Sequence, residues 1–225
     1  MNLEQYRTIE AFMQSCMGDS AHDCEHVYRV LYNALEIAKA EPDTNYDLLI
    51  TACLLHDIGR IDQIADPSLC HAAVGAEKAR QFLLGLGMEE SFADQVCHCI
   101  QAHRFRKNQQ PRTLEAKILF DADKLDVTGA IGIARTLLYQ GTLTEPLYRM
   151  LPDGSISDGT HEIGHSFFRE YKFKLEKLYD RFYTPRGAEL ARDRQAIAAA
   201  FYKNLYKEVN TGYTAGKAML EDLLK

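Results

Sequence analysis

The amino-acid sequence predicts an all-α protein. Apolar residues recur at spacings of three and four along almost the whole chain, as they do on one face of a helix. No alternating apolar and polar run bounded by turn residues indicates a strand. With 225 residues, of which 46% are hydrophobic and 26% charged, the chain is long enough to bury a core as a single domain over residues 1–225.

Prolines and glycines divide the helical pattern into segments, and Pro42, Pro67, Gly85, Gly87 and Pro111 each interrupt it. Polar stretches separate the remaining apolar stripes. The predicted helices cover residues 3–17, 22–40, 46–59, 68–85, 89–104, 113–126, 127–140, 161–183 and 186–209, followed by a short tail helix after Gly216.

One long segment, residues 141–160, shows no helical pattern. It is longer than most connections in compact domains, which predicts a lid or a mobile loop. The C-terminal helices, residues 161–225, follow it.

Composition argues against several classes of function. A formal net charge of -6 disfavours binding to a nucleic-acid polymer, because such binding depends on many Lys and Arg contacts. No segment reaches the roughly 18 apolar residues of a membrane span, and the N-terminal segment lacks the features of a signal peptide. We therefore expect a cytoplasmic protein. The six cysteines form no CxxC pair, so we expect them to act as small hydrophobic residues.

Two stretches place ionisable groups in apolar surroundings. His26 lies at the edge of an apolar helical stripe, where a lone histidine is most often a hydrogen-bonded core residue. In LLITACLLHDIGR, His56 and Asp57 end a segment that is apolar nearly all round. A buried carboxylate needs a cation, so Asp57 requires a metal ion or a base such as Arg60. Neighbouring helical residues point roughly 100° apart, so the His-Asp pair can share an ion only at a helix end, which Gly59 provides.

Three aspartates lie in the segment TLEAKILFDADKLDV. Helical periodicity places Asp121 on the wetter face with Lys124, and places Asp123 and Asp126 among apolar residues. By this pattern Asp126 is the more central of the two. Because both lie among apolar residues, however, the pattern does not identify which of them is a metal ligand.

The order of His26, His56-Asp57 and Asp123 resembles the H…HD…D signature of the HD-domain metal-dependent phosphohydrolases. Three stretches strengthen the resemblance over residues 20–140: an SHD-like sequence before His26, and the blocks LLHDIGR and EAKILFDADKLDVTGAIGIAR. It implies a compact multi-helix HD bundle with its metal-site core at residues 20–140 and a C-terminal helical extension.

The resemblance also implies a ligand set. In this family the carboxylate of the A-D-[KR] step is a ligand, which selects Asp123 and leaves Asp126 as a supporting residue. One divalent ion per chain is then held by His26, His56, Asp57 and Asp123. Such nitrogen and oxygen ligands suit Mn²⁺, Fe²⁺, Ni²⁺ or Zn²⁺, with Mg²⁺ a further choice and Mn²⁺ favoured.

The implied activity is hydrolysis of a nucleotide or a related phosphate ester, in which a metal-activated water attacks phosphorus. Asp57 and Arg60 are the expected catalytic residues. Arg60, His71, His103 and Lys124 are expected to contact the phosphorylated substrate. His71 and His103 also resemble the additional histidines with which some family members hold a second metal.

Other interpretations remain open at the level of sequence. The HD site is also compatible with a non-catalytic sensor that binds metal and nucleotide, or with a purely structural ion. His22 and His26 have the spacing of the HExxH zinc proteases, but Asp23 stands where that motif has Glu. His161 and His165 share a predicted helical face that either lines a pocket or is solvated. An oligomer is possible.

Overall fold

The structure, a computed structural model, describes residues 1–17, 24–104 and 109–225. Within those ranges the regular elements are helices and no strand is present, which confirms the all-α class. None of the described helices is long and apolar enough to cross a membrane. The α-helices are α1 (Leu3–Cys16), α2 (Cys24–Ala38), α3 (Tyr46–Leu55), α4 (Arg60–Ala65), α5 (His71–Gly85), α6 (Glu90–Ala102), α7 (Leu114–Leu125), α8 (Gly129–Thr142), α9 (Phe167–Phe173) and α10 (Pro185–Leu223), with a 3₁₀ turn at Leu175–Lys177.

The described chain divides into two compact units. The first unit contains residues 1–126 and 182–190, and the second contains residues 127–181 and 191–225. The expected metal-site core, residues 20–140, therefore runs past the boundary of the first unit. The single domain predicted for residues 1–225 stays a prediction.

The core of the first unit is built around α2 and α3. The apolar stripe predicted for α2 is buried, and α3 is buried on nearly every side. Helix α2 packs against α7 and α3, and α3 also packs against α6. Each fully buried Leu or Ile in this core contributes roughly 1.5–3 kcal/mol relative to exposure, so the ends of these helices lie on a well-packed frame.

The helix predicted over residues 46–59 ends at Leu55, and a turn leads from His56 to α4. Gly59 lies in this turn with φ −91°, so it is not a left-handed helix cap. A Cβ atom on Gly59 would lie 2.3 Å from the carbonyl oxygen of His71 and 2.7 Å from the backbone nitrogen of Gly75. This glycine therefore permits the close approach of α5 to the turn.

Asp121 lies in a different environment from the one its helical position predicted. Its side chain is fully buried, so its placement on a wet face is wrong. The carboxylate accepts hydrogen bonds from the backbone nitrogens of Tyr183 and Thr184, at 2.9 and 2.7 Å, and from Oγ1 of Thr184 at 2.6 Å. A returning segment of the chain thus covers a face that periodicity alone assigns to solvent.

The second unit departs most from the predicted helices. A helix over residues 161–183 is wrong, because only α9 and the 3₁₀ turn form there. Gly159 and Gly164 have φ of 94° and 101°, conformations that a helix does not contain, and Ser166 then caps α9. The irregular segment accordingly extends over residues 143–166, and its role as a lid stays a prediction.

The separate tail helix is also wrong, since α10 continues without a break through Gly216 to Leu223. A glycine inside a helix costs about 1 kcal/mol relative to alanine, which is too little to end a long helix by itself.

Candidate metal centre

Four side chains from three separate stretches of the chain meet in the first unit. Nε2 of His26 lies 3.4 Å from Nε2 of His56, 3.6 Å from Oδ2 of Asp57 and 3.5 Å from Oδ1 of Asp123. These residues come from the first turn of α2, the turn after α3 and the last turn of α7. The structure therefore brings together the four residues that the sequence analysis assigned to a metal ion.

The hydrogen bonds of the two imidazoles define which nitrogen faces the centre. Nδ1 of His56 lies 2.7 Å from the carbonyl oxygen of Cys53, and Nδ1 of His26 lies 2.7 Å from Oδ2 of Asp126. A carbonyl or a carboxylate only accepts hydrogen bonds, so each Nδ1 donates. In a neutral ring, Nε2 then carries the lone pair, as a metal ligand requires.

This donor set fits a divalent cation. Nε2 of His26 lies within 3.6 Å of the other imidazole and of both carboxylates, and Nε2 of His56 lies 3.8 Å from Oδ2 of Asp57. Lone pairs and carboxylates this close together repel one another when no cation lies between them. His26, His56 and Asp123 each direct one ligand atom into a space that one ion would span. A cation between them converts the repulsion into attraction.

A second group of potential ligands adjoins the first. Oδ1 of Asp57 lies 3.4 Å from Nε2 of His71 and 3.5 Å from Nε2 of His103, and the two rings are 3.3 Å apart at those nitrogens. Oδ2 of the same aspartate faces His26 and His56. Asp57 therefore lies between both groups, with one oxygen directed to each.

The second pair of imidazoles has the same orientation as the first. Nδ1 of His71 lies 2.6 Å from Oε1 of Gln63, and Nδ1 of His103 contacts the carbonyl oxygen of Ile100 at 2.5 Å. Nε2 of Gln63 donates to the carbonyl oxygen of Leu69, which supports the assignment of its amide oxygen to His71. Both histidines therefore present Nε2 lone pairs to Asp57.

Burial keeps the rings of His56 and His71 neutral. Removal from water lowers the pKa of His56 from 6.5 to about 4 and that of His71 to about 2. For Asp123, burial opposes ionisation, but the positive charge of Lys124 favours it, and the pKa of the carboxyl lies well below its usual value. Neutral imidazoles and ionised carboxylates are the protonation states that bind metal ions.

The two bases expected to contact substrate are each paired with one of the carboxylates. Nε of Arg60 donates to Oδ2 of Asp57 at 3.0 Å, and Nζ of Lys124 donates to Oδ2 of Asp123 at 3.1 Å. Both side chains are partly exposed, at 23% and 16%. They therefore neutralise the carboxylates and also remain accessible from outside the centre.

The other histidine interpretations have different outcomes. His22, proposed as half of a protease-like pair, lies outside the described residues. His161 and His165 are exposed and lie in the irregular segment, so they do not share a helical face as predicted.

Sequence reasoning missed two residues that bind the hydrogen-bonding partners or the side chains of the histidines. Arg29 binds the carboxylate of Asp126, and Gln63 accepts from His71. The position of Arg29, three residues after His26 on α2, was the signal for a shared helical face. No comparable signal marks Gln63, because α4 was not predicted.

Comparison with known proteins places the chain among relatives. A sequence model of the HD domain matches residues 24–128. The uncharacterized protein YpgQ of Bacillus subtilis is 33% identical over 215 residues, which cover 92% of this chain and 95% of YpgQ.

The chain belongs to the HD-domain phosphohydrolase family.

Solved structures of HD proteins share its fold. The crystal structure of Bacillus subtilis YpgQ in complex with ADP superimposes with a TM-score of 0.72 at 28% identity, covering 91% of this chain and 98% of that one. A predicted HD superfamily hydrolase from an uncultured Thermotogales bacterium gives a TM-score of 0.62 at 29% identity, covering 92% and 99%. This HD-domain protein is accordingly a metal-dependent hydrolase.

A shorter similarity connects the chain to a larger HD protein. Over 117 residues it is 36% identical to Ribonuclease Y of Chloroflexus aurantiacus, which is 48% of this chain and 20% of that enzyme. The shared part is therefore a minor fraction of Ribonuclease Y.

Proposed function

We propose that this HD-domain protein hydrolyses a phosphate ester or phosphoanhydride of a nucleotide, with one divalent ion held by His26, His56, Asp57 and Asp123. The observation that carries the proposal is that Nε2 of His26 lies 3.4–3.6 Å from Nε2 of His56 and from the carboxylates of Asp57 and Asp123, with the bases Arg60 and Lys124 beside them. A nucleotide is supported by YpgQ, which was crystallised with ADP.

Mixed nitrogen and oxygen ligands suit Mn²⁺, our first choice, and also Fe²⁺, Ni²⁺ or Zn²⁺, while Mg²⁺ prefers oxygen ligands. When bound, such an ion supplies Lewis acidity to a phosphoryl oxygen and lowers the pKa of a water molecule. Cellular location in the cytoplasm and any oligomeric state stay predictions.

Arg60 and Lys124 are the side chains that bind phosphate in this proposal. Each now offsets the charge of a carboxylate that the ion would also offset. Once the carboxylates are neutralised by the ion, the guanidinium and ammonium groups interact more strongly with an anionic phosphate. Both groups then stabilise the charge that develops on the phosphoryl oxygens.

His71 and His103 have a narrower role than direct phosphate binding. Their Nε2 atoms carry lone pairs, so in the neutral form they accept a hydrogen bond from water and do not donate one to phosphate. We therefore propose that they orient the attacking water, His103 from its contact with Asp57 and His71 beside it.

The same lone pairs favour a second candidate, in which Asp57, His71 and His103 hold a second ion. Calorimetric titration with Mn²⁺ distinguishes the two. A stoichiometry of one supports water orientation by the two histidines, and a stoichiometry of two that falls to one in His71→Ala supports the second ion.

The test of function is a substrate screen with Mn²⁺. Nucleoside mono-, di- and triphosphates, a generic phosphate ester and an RNA oligonucleotide are compared by release of phosphate, pyrophosphate or shorter RNA. Asp57→Ala is expected to lose the activity with its helical circular dichroism unchanged, whereas Arg186→Gln, in the first unit but outside the centre, is expected to retain it.

Three outcomes would contradict the proposal. Undiminished hydrolysis by Asp57→Ala rejects the centre. Nucleotide and metal binding without turnover of any substrate supports the sensor alternative. A large rise in melting temperature on adding metal, without turnover, indicates a structural ion.

A further inference from the structure

Asp126 makes contacts that the proposed ligand set does not use. Its side chain is buried, and Oδ2 accepts a hydrogen bond of 2.7 Å from Nδ1 of His26. The residue follows α7 as its C-cap, and the cap hydrogen bond there comes from its backbone nitrogen. The helix end therefore does not require a carboxylate at this position.

Arg29 fixes the carboxylate from its other side. Nε of Arg29 donates to Oδ1 of Asp126 at 2.8 Å, and its terminal nitrogen donates to Oδ2 at 3.1 Å. A two-point contact of this kind restrains rotation of the carboxylate as well as its position. Because Arg29 and His26 are both on α2, the helix, the guanidinium, the carboxylate and the imidazole form one closed arrangement.

We propose that Arg29 and Asp126 are positioning residues that hold the His26 ring with Nε2 directed into the metal centre. The inference rests on the proposed function, since it presupposes that His26 is a metal ligand. Asp126 fixes the Nδ1-protonated form of the ring, and its negative charge increases the electron density at Nε2. Arg29 keeps the carboxylate oriented towards the imidazole.

This arrangement differs from those of the other imidazoles. His56 and His103 donate to backbone carbonyl oxygens, and His71 donates to a neutral amide. His26 donates to an ionised side chain that is itself paired with a base. Substitution can therefore remove the support of His26 without altering the backbone.

The experiment measures the dissociation constant for Mn²⁺ by calorimetry in wild-type protein and in Asp126→Asn, which has nearly the same shape. We expect the constant to rise roughly 10–100-fold, the usual effect of removing a hydrogen-bonding partner of a metal ligand. Arg29→Gln should shift it in the same direction, and Arg29→Lys, which keeps the charge, should lie between Arg29→Gln and wild type. The visible spectrum of the Co²⁺-loaded protein should change in Asp126→Asn, because the ligand field depends on His26.

The matched control is Arg186→Gln. Arg186, at the start of α10, pairs at 2.8 Å with Glu36, which lies on α2 as Arg29 does. The side chain of Arg186 is 31% exposed, compared with 34% for Arg29. Glu36 is ten residues beyond His26, which corresponds to roughly 15 Å along a helix. This variant removes an ion pair from α2 and should leave both the Mn²⁺ constant and the Co²⁺ spectrum unchanged.

An unchanged constant in folded Asp126→Asn overturns the inference. If that variant does not fold, Arg29→Gln decides, and an unchanged constant there overturns it equally. A wild-type protein that binds neither Mn²⁺ nor Co²⁺ refutes the proposed function itself, so the two failures give different results.

Discussion

Arg60 donates from Nε to Oδ2 of Asp57 at 3.0 Å, so the base assigned to substrate lies on the carboxylate assigned to the metal. Its positive charge offsets the buried carboxylate and also repels a cation that approaches Asp57. The same guanidinium therefore has opposite effects on binding of the ion and on binding of an anionic substrate.

We predict that Arg60→Gln separates these effects. Loss of the charge should leave Mn²⁺ affinity unchanged or increased, whereas kcat/KM for the best phosphate substrate should fall about tenfold or more, since a charged hydrogen bond contributes roughly 1.5–3 kcal/mol. Calorimetry and steady-state kinetics measure the two quantities. Weaker Mn²⁺ binding together with normal turnover would contradict the assignment.

Stability of the metal-free protein should depend on pH through its buried histidines. In the folded state the pKa of His56 is about 4, below the unfolded value of 6.5, so the unfolded chain binds protons first as pH falls. The stabilisation is complete above pH 6.5 and is lost between pH 6.5 and about 4. His56 alone accounts for about 2 kcal/mol between pH 7 and 5, at 1.36 kcal/mol per pKa unit.

Urea unfolding with a chelator at pH 7 and pH 5 tests this dependence. The exposed His161 offers a control, because His161→Gln should retain the full difference between the two pH values. Equal free energies of unfolding at both pH values would show that His56 is not buried in the neutral form.

Gly59→Ala should destabilise the first unit. The new methyl group would overlap the carbonyl of His71 and the backbone of Gly75, so α5 must move away from the His-Asp turn. Overpacking of this kind costs about 1–3 kcal/mol. Gly85→Ala, at the C-terminal end of α5, is the matched control, because nothing lies within 4 Å of the carbon that it adds. Equal free energies of unfolding for the two variants would disprove the close approach.

Asp121→Asn should affect stability without affecting the metal centre. Three donors from Tyr183 and Thr184 converge on its carboxylate, and loss of hydrogen bonds to a buried charge costs about 1.5–3 kcal/mol. Its Mn²⁺ dissociation constant should match that of wild type, in contrast to Asp123→Asn, which removes a proposed ligand. Parallel losses of stability and affinity would place Asp121 in the centre.

The sequence was sufficient to predict the helical class and to identify His26, His56, Asp57 and Asp123 as candidate metal ligands. Periodicity did not choose between Asp123 and Asp126, since both lie on the inner side of α7, and the resemblance to a family made the choice. The structure gives a physical distinction: Asp123 faces Nε2 of His26, whereas Asp126 faces Nδ1.

Features formed between distant segments were not predictable from local pattern. The burial of Asp121 depends on residues 182–190, which are remote in sequence. The helix predicted over residues 161–166 is absent, and Gly159 and Gly164 adopt positive φ in this region, which only the folded chain reveals. Conversely, α10 continues through Gly216, because a long helix tolerates a single glycine.

The discontinuity of the first unit bears on how the protein is synthesised. All four proposed ligands have left the ribosome once residue 123 emerges. The donors that bind Asp121, however, lie 62 and 63 residues beyond Asp121 in the sequence. The nascent chain therefore carries a complete set of ligating side chains while one of its buried carboxylates still awaits its partners. Translation must pass through most of the second unit before the first can reach its final packing.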